Sequence, residues 1–292
     1  MVWMSKDSCM FNKLTALLTG KSELWRNLAG GAIASILIKI ANTGLNFLLA
    51  VLLARALGPE GYGLYAYVFS VIMVLAVPAE MGLPQLVVRE TAKAQSASNW
   101  GLMRGLWRWA GWIAGLTSVM LAVLSLTAIG WVKPDFNPVQ LDAFMLGLVL
   151  VPLVALGNLR GAALRGLRKT ILGQLPELLL QPGSFLLMIL GVMFVYPERL
   201  TPAGVMGINA LAAGMAFLIG AVLLWRVKPS GLQRSRPRYE KRAWFAAVLP
   251  LAFVSGMQLI NNHTAILLLG YFKSPAEVGI FKVVSSCSGL VA

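Results

Sequence analysis

Residues 29–83 read AGGAIASILIKIANTGLNFLLAVLLARALGPEGYGLYAYVFSVIMVLAVPAEMGL, two apolar runs joined by a turn that carries Pro59, Gly61 and Gly63. About 20 apolar residues in a helix span a bilayer, and Ala29–Leu57 and Leu64–Leu83 each reach that length. The pattern continues with Ala110–Val132, Val139–Leu159, Leu175–Tyr196, Ala203–Val227 and Trp244–Leu269, and an eighth run begins near Val278 and is still apolar at Ala292. Runs this long exceed a barrel strand and lack its alternation. The expected fold class is an all-α, polytopic membrane bundle.

Composition agrees. Of 292 residues, 58% are hydrophobic and 12% charged, which is too little polar surface for a soluble domain of this size. The net charge of +14 does not indicate nucleic acid, because the charges sit in the connections rather than along one folded face. Lys6, Lys13, Lys21 and Arg26, then Arg89, Lys93, Arg104 and Arg108, then Arg160, Arg165, Arg168 and Lys169, and finally seven basic residues between Arg226 and Arg242 fall on alternate connections. The other side receives only Arg55, Lys133, Arg199 and Lys273. Cytoplasmic flanks keep such an excess, so the N-terminus is expected in the cytoplasm of a multi-pass protein of the cytoplasmic (inner) membrane. Cys9 and Cys287 lie at opposite ends and His263 is the sole histidine. That gives no disulfide framework, no metal site and no cofactor motif. The basic, amphipathic N-terminal segment 1–28 lacks the compact core and cleavage site of a signal peptide.

A repeat emerges at a fixed offset of 216 residues. Pro59, Gly63, Leu64 and Tyr65 are matched by Pro275, Gly279, Ile280 and Phe281, and the same step carries Asn46 onto Asn262 and Ser70 onto Ser286. Six spans separate the copies, so both have the same orientation, as in the parallel repeats of secondary transporters. This divides the chain into residues 29–227 as a six-helix lobe, 228–243 as a basic linker, and 244–292 as the start of a second lobe. On this reading the second copy has only begun when the chain stops, and the complete protein is expected to hold about twelve helices or more.

The segment LLARALGPEGYGLYAYVFSV, the pattern Gly82-Leu83 with Arg89-Glu90 in MGLPQLVVRETAKA, and ALRGLRKTILGQLPELLLQP at 163–182 resemble the polysaccharide biosynthesis, or O-antigen-type, flippases. These belong to the multidrug/oligosaccharidyl-lipid/polysaccharide exporter superfamily. The resemblance implies two helical lobes around a central cavity. It also implies movement of undecaprenyl-pyrophosphate-linked oligosaccharide between leaflets for surface polysaccharides such as lipopolysaccharide. Membrane lipid, and polymerase and glycosyltransferase machinery, are the partners that follow.

Lys39 lies about 15 Å into the first run at 1.5 Å per residue. A charge at such depth is expensive unless it meets water or a partner. Asn42 and Asn46 follow at i+3 and i+7, so one face would line a hydrated passage for an anionic head group. A helix that begins later, with Lys39 snorkelling, is the alternative. Glu177, with Gln174 and Gln181, forms a second polar stripe between Pro176 and Pro182; it could pair with Lys39, carry a coupling proton, or serve a structural ion pair. Asn262 and His263 cluster with Gln258 and Asn261, for titration or interhelical hydrogen bonding. Arg89 and Arg160, with Arg104, Arg108 and Arg165, crowd the basic mouth and suit phosphate or topology alone. The pairs Gly101/Gly105, Gly111/Gly115 and Gly157/Gly161 predict close helix contacts.

Transport of a lipid-linked oligosaccharide is the first functional expectation, with Lys39→Ala predicted to abolish glycan export in the full-length parent. A cation exporter would need buried carboxylates, and the chain offers Glu177, with Glu80 placed near an outer end. A membrane-embedded polymerase or glycosyltransferase would be expected to place acidic or basic catalytic residues in a long outer loop or at a metal site. No nucleophile–base pair is present, so the chain is not expected to be an enzyme.

Overall fold

A computed structural model describes the backbone of residues 4–132, 138–195 and 200–291, and the side chains of 31, 33–128, 138–195, 200–257 and 263–286. Among these residues the regular structure is helical throughout: α1 (Met4–Glu80), α2 (Leu83–Ser96), α3 (Trp100–Val132), α4 (Pro138–Leu148), α5 (Leu150–Gly166), α6 (Thr170–Leu175), a π-turn (Pro176–Leu180), α7 (Gln181–Val195), α8 (Pro202–Val227), α9 (Ser230–Arg234), α10 (Lys241–Phe272) and α11 (Pro275–Val291). The chain is an all-α, multi-pass membrane protein.

Among the described residues, five stretches are long and apolar enough to cross a bilayer: Ile33–Glu80, Trp100–Ala128, Pro138–Gly166, Thr170–Val195 and Pro202–Val227. The first has 48 residues, about 72 Å of helix, well over twice the roughly 30 Å hydrocarbon core. It breaks at Gly58, whose φ of 69° and ψ of 175° belong to a region open essentially to glycine alone. Pro59 then starts the second limb with φ preset for a helix. The two limbs of α1 on either side of Gly58 are therefore each of membrane-spanning length, in keeping with the first two apolar runs.

Helices extend past the apolar runs. α1 continues back to Met4, α3 starts at Trp100 rather than Ala110, and α5 runs on to Gly166. Hydropathy marks the hydrocarbon, whereas backbone hydrogen bonding continues into the interface and carries Arg104, Arg108 and Arg165 on helical ends.

Packing is small-inside and large-outside, as lipid solvent favours. On α8 the buried set is Val205, Met206, Asn209, Ala212, Ala213, Ala216 and Gly220, while Leu211, Leu218 and Trp225 point outward. Thr201 caps this helix by accepting from Gly204 N at 3.1 Å. The glycine pairs do three different things. Gly161 and Gly173 approach each other's carbonyls, a tight α5–α6 contact. Gly101 and Gly105 instead face the backbone of Arg236 and Arg238, so the chain after α9 lies across α3. Arg238 N donates to Gly101 O at 2.9 Å, and Arg104 donates to the carbonyls of Gln233 and Ser235 at 3.0 and 2.8 Å. Gly111 and Gly115 have open space beside them.

α10 and α11 return to the first two passes. Gly82 adopts φ 69° and sits so close to Leu251 and Ala252 of α10 that a Cβ would overlap their backbone. Trp109 packs on Trp244 at 5.2 Å and edge-on against Phe245 at 5.1 Å. The most extensive contact in the molecule joins α1 and α11. There the two Pro-x-x-x-Gly turns meet reciprocally: a Cβ on Gly63 would overlap the Pro275 carbonyl, and a Cβ on Gly279 the Pro59 carbonyl.

Candidate functional site: a polar cavity among the spans

Between the limbs of α1, the π-turn, α7, α8 and α11 lies a cavity of about 320 Å³. Its walls come from Asn42, Asn46, Leu49 and Leu53, from Tyr62, Tyr65, Ala66 and Phe69, from Glu177, Gln181, Pro182 and Phe185, and from Asn209, Lys282 and Ser286. From Asn42 to Leu53 is about 17 Å of helix, so the cavity reaches through roughly half the hydrocarbon.

Each wall has a local cause. Tyr62, Tyr65 and Phe69 follow at helical spacing and stack at 6.3 and 5.9 Å. Asn209, buried on α8, donates to the Tyr65 hydroxyl at 3.1 Å, which fixes one polar rim. Pro182 lacks an N–H, so the helix register shifts and Gln181 N donates to Pro176 O across the π-turn. The missing donor also frees the Leu178 carbonyl four residues earlier. Asn42 Nδ2 satisfies it at 2.7 Å, and Asn46 Nδ2 donates in turn to Asn42 O at 2.9 Å. Such turns inside helices recur at functional sites.

Glu177, on that turn, accepts from Arg160 Nη2 at 2.5 Å. Arg160 is buried at 7% exposure; its guanidinium also donates to Phe217 O, stacks over the Phe217 ring at 5.0 Å, and occupies the space a side chain at Gly220 would need. The buried charges thus form a neutral pair. A second acidic group, the half-buried Glu80, accepts from Asn158 Nδ2 at 2.6 Å, and Arg165 lies within electrostatic reach of both Glu80 and Glu177. Glu80 therefore sits at the basic end of the spans, not near the outer end, because α1 reverses at Gly58 and delivers its last turn beside α2.

Lys282 contributes the cavity's remaining charge. It is half-buried, forms no ion pair among the described residues, and its carbonyl accepts from Ser286 Oγ at 2.8 Å. Of the residues picked out by sequence, Asn42, Asn46 and Glu177 come together here, and Arg160 joins through Glu177. Lys39 is exposed one turn towards the basic end from Asn42, and Glu177 has Arg160 as its partner instead. Arg89 is exposed on α2, bonded to Glu90 at 2.9 Å. His263 lies on α10, not among the lining residues but within electrostatic reach of Lys282, its buried Nδ1 without a partner among the described residues. The side chain of Asn262 lies outside the described residues.

Sequence reasoning passed over Lys282, although it is the second basic residue inside an apolar run. The depth argument applied to Lys39 would have found it, and Ser286 one turn on already stood in the repeat. Asn209 carried no signal, since a lone Asn in a span is ordinary, and Tyr65 stood in the repeat only as an aromatic matched to Phe281, with nothing to mark its hydroxyl. Among the described residues no three His, Cys, Asp or Glu side chains group to hold a metal.

The fold and the site define the class: a multi-pass, all-helical membrane protein with a polar cavity among its helices. The family model described as "Polysaccharide biosynthesis protein" matches residues 28–291, and the chain belongs to that family. No curated protein and no solved structure matches it.

Proposed function

We propose that the chain is the transporting part of a flippase, which moves the anionic head group of a lipid-linked oligosaccharide across the cytoplasmic membrane for surface polysaccharide assembly. The observation that carries this reading is the sign of the cavity. Arg160 neutralises Glu177, which leaves Lys282 as the uncompensated charge. A cationic substrate would meet repulsion there, whereas a phosphate gains a charge-assisted hydrogen bond. Asn42, Asn46, Gln181 and Asn209 supply neutral donors and acceptors in place of water for sugar hydroxyls, while the lipid tail stays in the bilayer.

The repeat supports a moving part. Residues 29–227 act as one six-helix lobe, 228–243 as its linker and 244–292 as the partner segment that carries the second copy of the turn. The reciprocal Gly63–Pro275 and Gly279–Pro59 contacts close the cavity at the end away from the basic residues. Rocking of the copies about their shared axis opens that end and closes the other. The lipid-pyrophosphate oligosaccharide, and the polymerase and glycosyltransferase machinery around it, are the partners on this reading. The process is transport, with no covalent step.

The test is export by the full-length protein in cells that depend on it for surface glycan. A hydrogen bond to a charged group contributes on the order of 1.5–3 kcal/mol. Lys282→Gln should therefore reduce surface glycan by about tenfold or more at normal membrane levels, with Lys282→Arg retaining most of it. Undiminished export by Lys282→Gln would remove the cavity charge from the mechanism.

A further inference from the structure

A second space lies outside the polar cavity, on the far side of the Arg160–Glu177 pair. It is a slot of about 390 Å³ between α5 and α8, lined by Leu156, Leu159, Ala163, Phe217, Ala221 and Leu224. Trp107 of α3 and Leu232 of α9 complete its sides, and Arg160 closes the floor. The facing alanines, Ala163 and Ala221, hold it open where larger side chains would have met.

Its dimensions select the occupant. Phe217 at the floor and Lys228 at the mouth are eleven residues apart, about 16 Å of helix rise. Half of a roughly 30 Å hydrocarbon core is about 15 Å, the depth of one leaflet. A helix 10–12 Å across and that long would displace roughly 1,000 Å³ or more, far beyond the space available. Water is excluded because the walls are almost wholly apolar. A single extended acyl chain fits both the length and the lining.

The mouth selects the head group. Lys228 is the first residue beyond α8. It stands over the Trp225 ring at 5.0 Å, and forms no ion pair among the described residues. Trp225 is 66% exposed, an aromatic placed where a ring sits at head-group depth. Basic residues at such openings recognise anionic lipid. We propose that this slot binds one acyl chain of an anionic membrane phospholipid, with Lys228 holding its phosphate. The lipid wedges α5 against α8 behind Arg160 and so braces the wall that carries Glu177. The site is separate from the cavity and does not depend on what the cavity carries.

The experiment uses the full chain, purified and stripped of lipid, with thermal unfolding followed as phosphatidylglycerol or phosphatidylcholine is added. A ligand that binds only the folded state raises the midpoint. Phosphatidylglycerol should raise it by about 5 °C or more at saturation, with phosphatidylcholine giving a smaller rise. Lys228→Gln should fold normally and respond equally to the two lipids. Ala221→Trp, which fills the slot, should lose the response to both; Ala163→Leu serves if that variant does not fold. Lys282→Gln should respond as the wild type does, whatever its effect on export. Equal responses in the wild type, a preference retained by Lys228→Gln, or an undiminished response in the filled variant would each overturn the proposal. So would displacement of phosphatidylglycerol by a stoichiometric polyprenyl phosphate, which would make the slot a substrate-tail site.

Discussion

At the scale of single residues, burial decides which charges matter and how. Arg160 and Glu177 stabilise each other inside the spans, so removing one strands the other. Breaking a buried pair typically destabilises by about 3–5 kcal/mol, while replacing both partners is often near neutral. Arg160→Gln should thus lower stability by that order in detergent-based unfolding, and Arg160→Gln combined with Glu177→Gln should recover most of it. Additive losses in the double variant would mean that the two side chains do not act as a pair. Gly82 is constrained twice, by φ of 69° and by the backbone of α10, so Gly82→Ala is expected to destabilise and loosen α10.

Among the elements, two joints carry the design. The first is the π-turn, where Pro182 withholds a donor and Asn42 supplies one to Leu178 O. Asn42→Ala should cost on the order of 1 kcal/mol, and much less when Pro182→Ala restores the missing N–H. A double-mutant cycle measures the coupling; independent effects would show that Asn42 does not compensate for the proline. The second joint is the meeting of α1 with α11. Ala66 and Val278 pack together beside it, so cysteines at those two positions should form a disulfide efficiently in the resting protein. Gly279→Leu forces the Pro59 carbonyl away and should reduce that crosslink several-fold. An unchanged yield would show that the turns do not depend on close approach.

Taken as a whole molecule, the chain separates charge from hydrocarbon along one axis. With Cys9 and Cys287 replaced, a cysteine at Ser230 should resist a membrane-impermeant thiol reagent in intact cells, and one at Ala276 should react. The reverse result would invert the orientation that the basic connections imply. The repeat shapes the cavity as well: the 216-residue offset that pairs Gly63 with Gly279 also pairs Ala66 with Lys282, and both line it. Positions matched in the sequence thus carry different chemistry in the cavity, Ala66 on α1 and the charged Lys282 on α11.

Hydropathy and charge were enough to establish a helical membrane protein, because hydrocarbon tolerates only internally bonded backbone of sufficient length, but they did not mark where the helices end: α3 begins at Trp100, ten residues before its apolar run. The Pro-x-x-x-Gly repeat was legible for a similar reason, since close backbone approach leaves glycine little substitute. Tertiary structure alone decided which polar residues meet. Lys39, Asn42 and Asn46 share a helical stripe, yet only the asparagines reach the cavity wall, while the charge there arrives from Lys282 more than 200 residues on. Glu177 took Arg160 as its partner because α5 packs against α6 across Gly161 and Gly173, which brings the π-turn that follows α6 beside Arg160. Spacing along one helix fixes a face; what that face touches depends on how separate helices pack, and that is a property of the folded whole.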